Sequence, residues 1–434
     1  MPRRNLVIIL ISLLSSFICY EKATHNQYAL VLATAMKRIE AYYYEPVERR
    51  PLFENAMHGM LSRLDEHSSY ISPDDFSRFQ QDIEQEFVGI GILVTGPPER
   101  PDLTVISPVY DTPAYHAGIR AGDVILAIDG KLTREMQMNE SLGMIKGPKG
   151  SELKLKIVRS EAERPMEISI IRDRIRTRSV FGDTRAKGGN WNYFLKDHPE
   201  IAYVRVTGFG EHTAEELREV LGILDDQQAK SLILDVRGNP GGLLQAAVEM
   251  CDMFLETGLV VSTKGRTEHQ AREFHATADT IVDPDLPVVV LVDKLSASAS
   301  EIFAACLQDH GRATVVGERT WGKGTVQNVF PLEAGRSALK LTTATYHRPS
   351  GANIHRHQDA TEEEHWGVRA AEGFEVILDD QTYRAIYEAR QQRDVLEAEI
   401  PPEALQVEDP QLERAIEAVG ESDEKKLEHA SEAA

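Results

Sequence analysis

The sequence predicts an α/β protein with a β-rich insertion and a helical N-terminal segment. From about residue 179 to 394, apolar runs of strand length alternate with amphipathic stretches, as in YVRVT before TAEELREVLGILDD and SLILDVR before LLQAAVEMCDMFL. This alternation is typical of a largely parallel sheet with helices on its faces. Between 87 and 173, short strand-like runs are separated by turns such as GPP, DG and GPKG. Residues 27 to 82 are helical in pattern.

The first element is an apolar stretch that follows two arginines. MPRRN precedes about 15 apolar residues, which is the layout of a secretory signal. The run is short for a membrane-spanning helix, which needs about 20 residues, and no A-x-A cleavage site follows it. We therefore expect residues 1–20 to be a signal peptide or an uncleaved signal anchor. The chain is expected to be exported to the periplasm, with membrane association through residues 6–20.

The N-terminal helical segment, residues 27–82, contains a clear helix start. Ser72 precedes Pro73 and Asp74, so Ser72 is predicted to be the N-cap, with proline at the first helical position.

The β-rich insertion contains FVGIGI and, further on, AYHAGIRAGDVILAIDGK. Physically, Asp129-Gly130 predicts a hairpin turn. Together the two stretches resemble a PDZ domain, placed over residues 84–175. PDZ domains bind the last residues of a partner chain by strand addition and hold its carboxylate with backbone N–H groups. The resemblance places those donors at four consecutive residues, Val88, Gly89, Ile90 and Gly91. A small β-domain without a ligand is the alternative.

The junction after this insertion is rich in arginine. ISIIRDRIRTRSV (168–180) carries Arg172, Arg174, Arg176 and Arg178 in a chain whose net charge is -21. We expect these side chains to bridge to acidic groups of the following domain, or to sense the carboxylate of a bound tail.

Three loops leave predicted strands at their carboxyl ends, where sites of open α/β sheets gather. They are DVRGNPGGL (235–243), DKLSASASE (293–301) and GERTWGKGTVQ (317–327). The third nearly fits a phosphate loop, but Gly324 occupies the place of the magnesium-binding hydroxyl, and the β-branched TVQNVFPL that follows predicts a strand. Nucleotide binding is therefore rejected.

These loops contain the parts of a Ser-Lys hydrolase. A serine at a helix start exposes its hydroxyl, and the next N–H points where an oxyanion would form. Lys323, between two glycines, can act as a base if burial lowers its pKa, and Trp321 predicts a dry pocket around it. The glycines of GNPGG allow close backbone approach to a substrate. The alternative is that Ser296, Ser298 and Ser300 are all caps.

The linked motifs SASASEI, GERTWGKGTVQ, LDVRGNPGG and LDEHSSYISPDDF resemble those of the C-terminal processing (tail-specific) serine peptidases. The resemblance implies a crotonase/Clp-like α/β protease core over residues 176–395 and no cofactor or metal. It implies Ser298 as nucleophile, Lys323 as base and Gln327 as the residue that positions the lysine. The implied oxyanion hole uses the N–H of Ala299 and that of Gly241, with Gly242 close behind.

One stretch departs from that family. NIHRHQDATEEEHWGV (353–368) is longer and richer in His and Glu than the expected glycine-rich turn, but it lacks the H-E-x-x-H pattern of a zinc site. We expect it to affect substrate access or partner contacts. His310 lies about 18 Å along the helix from Ser298, so we interpret it as a helix C-cap and not as a catalytic base.

Composition limits the remaining interpretations. The net charge of -21, without a basic cluster, excludes nucleic acid as a partner. Residues 396–434 are strongly acidic and predict a partly disordered tail with one short helix at DPQLERAIEAV. Cys251 and Cys306 are interpreted as packed free thiols.

The expected partners are protein substrates with accessible C-termini. The sequence leaves open whether the chain forms homo-oligomers or needs an activating partner. Two other functions also stay open: a catalytically silent PDZ scaffold and a crotonase-like acyl-transfer enzyme.

Overall fold

A computed structural model of the chain describes residues 3–24, 27–95, 103–159, 164–186, 189–278, 280–396 and 406–432. Small parts of the predicted signal, PDZ domain and acidic tail lie outside these residues: 1–2, 96–102, 160–163, 397–405 and 433–434.

The α-helices are α1 (Arg3–Thr24), α2 (Gln27–Tyr42), α3 (Arg49–Leu61), α4 (Pro73–Glu84), α5 (Pro113–His116), α6 (Met138–Ile145), α7 (Thr213–Asp226), α8 (Leu244–Asp252), α9 (Ala299–Asp309), α10 (Asp380–Asp394) and α11 (Pro410–Glu432).

The β-strands are β1 (Ser69–Ile71), β2 (Glu86–Gly89), β3 (Ile92–Thr95), β4 (Leu103–Pro108), β5 (Val124–Ile128), β6 (Lys131–Leu132), β7 (Glu152–Val158), β8 (Met166–Ile171), β9 (Asp173–Arg176), β10 (Val180–Phe181), β11 (Thr184–Arg185), β12 (Trp191–Asn192), β13 (Ile201–Val206), β14 (Ser231–Asp235), β15 (Leu259–Gly265), β16 (Arg272–His275), β17 (Val288–Val292), β18 (Thr314–Gly317), β19 (Thr325–Leu332) and β20 (Ser337–His347).

The chain divides into two compact units. The smaller unit comprises the residues up to Phe76 together with Gln327–Thr342, and the larger unit comprises the rest. In the smaller unit β1 pairs antiparallel with the first part of β20, and Tyr70 packs with residues of α3 in a small apolar cluster. The predicted helix start is confirmed, since α4 begins at Pro73 and the Ser72 hydroxyl accepts the N–H of Asp75 at 3.3 Å.

The N-terminal apolar stretch forms α1, and the exposed α2 follows it. Across the part of the chain that the structure describes, no helix is both long enough and apolar enough to cross a membrane.

The centre of the larger unit is a sheet with strand order β10-β13-β14-β17-β18. The last four strands are parallel, and β10 pairs antiparallel with β13. Alternate residues of these strands point to opposite faces. One face packs against α7, α8 and α9, and the other packs against α11. This is the predicted α/β layer architecture, and the carboxyl ends of the parallel strands all meet at one edge.

The C-terminal segment differs from its prediction. Gln411 and Ala415 are fully buried, and Ala418 and Val419 are nearly so, because α11 packs on the central sheet. The prediction of a solvated tail came from the acidic residues of this segment, many of which lie at the other positions of the helix. The short helix predicted at DPQLERAIEAV is therefore present as the first part of α11, but it belongs to the core and is not the solvated segment that we expected.

The β-rich insertion forms a second sheet in the larger unit, with strand order β3-β4-β5-β7-β8 and β6 beside β5. The predicted hairpin is present, since Ile128 pairs with Lys131 around Asp129 and Gly130, both of which have positive φ. β3 stands at the edge of this sheet, and among the described residues no strand pairs with its side away from β4.

Candidate active site

The three predicted loops lie together at the carboxyl edge of the central sheet, and a buried aspartate connects two of them. Both carboxylate oxygens of Asp293 accept the N–H of Gly238, at 2.9 and 3.0 Å. The same carboxylate accepts the N–H of Ser296 at 3.0 Å. The loop that carries GNPGG is thereby fixed to the loop that carries the serines.

The three serines have different surroundings. Ser296 and Ser300 are fully buried, and their hydroxyls donate to the carbonyls of Val236 at 2.8 Å and Asn239 at 2.9 Å. Ser298 is only partly buried. It has φ +58° and ψ -115°, a conformation that a serine adopts only when its surroundings impose it. Of these three hydroxyls, the one at Ser298 is therefore the one open to a substrate.

Ala299 begins α9, so its N–H has no acceptor within the helix. Gly241 lies directly against it. A Cβ placed on Gly241 would fall 2.8 Å from the Ala299 nitrogen and 2.8 Å from the Cβ of Ser298. Only glycine allows this approach, and its φ of +96° agrees.

The amides of the two candidate glycines differ. The N–H of Gly241 donates to the side-chain oxygen of Asn239 at 2.9 Å. The carbonyl of Gly241 and the N–H of Leu243 both bond to Phe209. In this parallel bridge the N–H of Gly242 points away from Phe209. The amide of Gly241 is thus engaged in holding its own loop.

Glu301 joins the serine loop to the lysine loop. Its carboxylate is fully buried. One oxygen, Oε2, accepts the backbone N–H of Ser298 and that of Lys323, each at 2.8 Å. The other oxygen accepts the Thr320 hydroxyl at 2.6 Å and the Gly322 N–H at 2.7 Å. The backbone nitrogens of Ser298 and Lys323 are therefore no further apart than twice the length of one hydrogen bond.

Burial raises the pKa of Glu301, although the four hydrogen bonds oppose that shift. The prediction from sequence did not include Glu301. A signal for it exists, because Ser298 and Glu301 have the S-x-x-E spacing of a capping box, in which the glutamate binds the N-cap N–H.

Tyr346 is a second site residue that the sequence analysis missed. It is 2% exposed, and its hydroxyl donates to the carbonyl of Lys323. Burial, with the nearby charge of Glu301, raises the pKa of Tyr346 well above its usual value, so it stays protonated. Its position in a strand-like run, TTATYH, gave no sign of this role.

The surroundings of Lys323 differ in one respect from the prediction. Trp321 is 50% exposed, so it does not form a dry wall around the lysine, as we had expected. Lys323 itself is partly buried. Its loop is held in place through backbone contacts, as those to Glu301 show.

Gln327 belongs to the smaller unit, where it lies on β19. Its side-chain amide donates to the hydroxyl of Thr342 at 3.4 Å, and Thr342 donates to Asp65 at 3.0 Å. Burial would raise the pKa of Asp65, but hydrogen bonds from Ser68 and its neighbours lower it. The LDEHSSY motif thus supplies the carboxylate of a polar cluster that includes Gln327.

The predicted PDZ donors fall into two groups. Val88 and Gly89 lie on β2 and pair with β9. Ile90 and Gly91 follow that ladder, and the Gly91 carbonyl accepts the N–H of Val109 at 2.9 Å. The φ of Gly91 is +79°, and a Cβ there would collide with Thr112. The last two residues thus form the turn that leads into the edge strand β3.

The arginines of the junction also divide. Arg172 is buried, and its guanidinium donates to backbone carbonyls of the β-rich insertion, including Ile145 at 3.0 Å. Arg176 instead forms an ion pair with Glu215 on α7, at 3.0 Å. The predicted bridge to acidic groups beyond the insertion is therefore present at Arg176, whereas Arg172 is a structural residue.

Other candidate residues have structural positions. His310 is the C-cap of α9, and its ring bonds to the carbonyl of Leu259 at 2.8 Å. Cys251 and Cys306 are buried free thiols. Within the described residues, no group of three or more His, Cys, Asp or Glu side chains is arranged to hold a metal ion.

Comparisons with known proteins identify the family. Residues 200–363 match the model of peptidase family S41, and residues 105–159 match that of the PDZ domain. A carboxy-terminal-processing protease of Bartonella bacilliformis is 38% identical over 338 residues, which cover 77% of this chain and 74% of that protein. The chain belongs to peptidase family S41, the carboxy-terminal processing proteases.

Other similar proteins carry related names. A carboxyl-terminal-processing protease of Synechocystis sp. is 33% identical over 318 residues, 73% of this chain and 72% of that one. Among solved structures, a photosystem II D1 C-terminal processing protease is 25% identical with a TM-score of 0.43, covering 82% of this chain and 94% of that chain. Membership of family S41 confirms the predicted family, the mixed α/β fold with a PDZ domain, and the enzyme class, a serine-type peptidase.

Proposed function

We propose that this S41 peptidase cleaves protein substrates by a Ser-Lys mechanism after its PDZ domain has bound the substrate's C-terminal tail. The observation that carries the mechanism is the shared carboxylate oxygen of Glu301, which binds the backbone N–H of both Ser298 and Lys323 at 2.8 Å. Nucleophile and base then belong to one rigid assembly, as such catalysis requires.

In the proposed reaction, the amine of Lys323 accepts the proton of the Ser298 hydroxyl while Oγ attacks the scissile carbonyl carbon. The oxyanion is stabilised by the N–H of Ala299 and by a glycine N–H of the GNPGG loop. Because the Gly241 amide bonds to Asn239, we assign the second donor to Gly242 and a packing role to Gly241. The protonated lysine then gives its proton to the leaving amine, and water hydrolyses the ester.

The PDZ domain is proposed to bind the substrate's last residues as an added strand along β3, with the carboxylate held at Ile90 and Gly91. The edge position of β3 supports this. Val88 and Gly89 are weaker candidates, because they are paired with β9. Gln327 remains the proposed positioning residue for Lys323, and the arginines after MP, with the apolar run behind them, support export to the periplasm.

The nucleophile and base are tested by Ser298→Ala and Lys323→Arg. Each is expected to lower kcat/KM on an unfolded protein substrate at least about a thousandfold, because arginine cannot deprotonate to act as a base. A fluorophosphonate probe should label wild type at Ser298, as mapped by mass spectrometry. Lys264→Arg, on the exposed face of β15, is the matched control and should keep wild-type rates. Near-normal activity of Lys323→Arg would require another base.

Tail recognition is tested by comparing two substrates that differ only in a free or an amidated C-terminus. The free carboxylate should give the lower KM, since it offers two charged acceptor oxygens to the backbone N–H groups of the turn, whereas the amide is neutral and replaces one of those oxygens with an NH2 donor. Equal KM values for the two substrates would exclude the PDZ domain as a tail sensor and leave the Ser-Lys proposal untouched.

A further inference from the structure

The segment 353–368, which we expected from the sequence to differ from the family, packs along the loop that carries Lys323. The N–H of Arg356 donates to the carbonyl of Gly322 at 2.7 Å, and the N–H of Thr320 donates to the carbonyl of Val368 at 3.0 Å. The family match ends at residue 363, so the last part of this segment, with Trp366, lies outside it.

Trp366 and Arg319 form the centre of this contact. Trp366 is 6% exposed and Arg319 is 7% exposed. The Arg319 guanidinium carbon lies 3.4 Å from the centroid of the indole ring, close enough for cation–π attraction. The guanidinium also donates to the carbonyls of Trp366 at 2.8 Å and Glu362 at 2.9 Å. This one arginine therefore holds the segment to the start of the lysine loop.

The contact continues through the next residue to the catalytic loops. The hydroxyl of Thr320 accepts the N–H of Val368 at 2.7 Å and donates to Glu301 at 2.6 Å. Glu301 in turn binds Ser298 and Lys323. A continuous series of hydrogen bonds thus runs from the segment that holds Trp366 to the two reactive residues.

The packing at this place is close. Gly322 has φ +90°, and a Cβ there would lie 3.0 Å from a ring carbon of Trp366 and 2.7 Å from the Cβ of Arg356. The glycine before Lys323 therefore lies against the indole ring, so a smaller side chain at 366 would leave space into which the loop could move.

We propose that Trp366, acting through Arg319, is a positioning residue that keeps the lysine loop closed on Glu301 and so sets the orientation of Lys323. This inference rests on the proposed role of Lys323 as the base. It assigns to segment 353–368 a function in the chemistry itself, in place of the expected effect on access.

The test uses Trp366→Ala in the full chain. Loosening the loop should misplace the lysine and admit water to it, which favours its charged form. We expect kcat to fall at least about tenfold, with KM changed by less than about twofold. The acid limb of the kcat/KM profile should also move to higher pH by about half a unit or more, so activity recovers in part at alkaline pH.

Two further variants sharpen the result. Trp366→Phe keeps an aromatic face for Arg319 and should retain most of kcat and the wild-type pH profile. Glu363→Ala changes an exposed residue of the same segment and should behave as wild type. If Trp366→Ala does not fold, Arg319→Lys carries the same test, because lysine loses the planar fork and the stacking.

A folded Trp366→Ala enzyme with wild-type kcat and pH profile would overturn the proposal. A loss of kcat that is equal at every pH would do so too, since it would indicate a general loss of packing only. Failure of the Ser-Lys mechanism is distinguishable from either result: Lys323→Met would then retain activity, whatever the behaviour of Trp366→Ala.

Discussion

Two buried carboxylates near the carboxyl edge of the central sheet have pKa values shifted in opposite directions. Burial would raise the pKa of Asp235, but Arg237 and Arg390 beside it lower that pKa far below its usual range. Burial raises the pKa of Glu301, which binds three backbone N–H groups and one hydroxyl. One carboxylate is compensated by charge and the other by hydrogen bonds alone.

Asp235 and Glu301 are compensated differently because they have different structural roles. Asp235 belongs to an ionic cluster in which Arg237 also binds Asp409 through two hydrogen bonds, at 2.8 and 2.9 Å. That cluster fixes the start of α11 to the end of β14, where the loop that carries GNPGG begins. Glu301 makes bonds that are directed to individual backbone atoms of two reactive loops. Charge pairing stabilises the scaffold, whereas directed hydrogen bonds orient the site.

Among changes to these two carboxylates and their partners, the largest expected effect is that of Glu301→Gln. Each oxygen of Glu301 accepts two hydrogen bonds, and glutamine replaces one of these oxygens with an NH2 group, which is itself a donor. At least two of the four hydrogen bonds are therefore lost. We expect kcat/KM to fall at least about a hundredfold, which corresponds to about 2.7 kcal/mol, measured with the unfolded substrate. Glu249→Gln, an exposed change on α8, is the control. Wild-type rates for Glu301→Gln would contradict the proposal that this carboxylate orients the serine loop and the lysine loop.

Asp409→Asn is expected to act on stability more than on rate. Arg237 keeps Asp235 but loses one charged partner, so the free energy of unfolding should fall by about 2 kcal/mol in urea titrations. The kcat should fall less than in Glu301→Gln. If the loss of kcat, converted to free energy, exceeded the loss of unfolding free energy, Asp409 would belong to the site. The contrast between the ionic cluster and Glu301 would then be wrong.

Asp409, in the ionic cluster, and Glu301 should also differ in how they change stability in acid. Burial would raise the pKa of Asp409, but Arg237 lowers it. Its contribution to stability is therefore fully present above the unfolded pKa of about 4, and it is lost as the pH falls from there to the lower pKa of the folded state. The raised pKa of Glu301 has the opposite sign, since the folded state takes up this proton more readily. Asp409→Asn should flatten the acid fall of the unfolding free energy, and Glu301→Gln should steepen it.

Urea titrations at several pH values between about 3 and 6 measure these slopes. Equal slopes for wild type and Asp409→Asn would mean that Asp409 titrates alike in the folded and unfolded chain.

The smallest effect is expected for Tyr203→Phe. The Tyr203 hydroxyl donates to Asp235 at 2.6 Å, and Asp235 keeps both arginines without it. We expect a loss of about 1 kcal/mol of stability and a kcat within about twofold of wild type. A loss of activity as large as that of Glu301→Gln would show that the ionic cluster controls the site directly.

The sequence by itself determined the local parts of this protein. Alternation of apolar runs predicted the parallel sheet, Ser72-Pro73 predicted the start of α4, and Asp129-Gly130 predicted a hairpin. Each is a property of neighbouring residues, because side-chain periodicity and turn conformations depend on short stretches of chain. The linked motifs also predicted the family, and with it the expectation that Ser298 and Lys323 form the catalytic pair.

Only the tertiary structure decided which partners meet across long separations. Glu301 binds Lys323, 22 residues away, Arg237 binds Asp409, 172 residues away, and Arg319 binds Trp366, 47 residues away. The acidic composition of the last segment predicted solvent exposure, yet α11 buries its few apolar positions against the sheet. A buried polar group must find a partner wherever the fold brings one, and that choice is made by packing, which no local pattern contains.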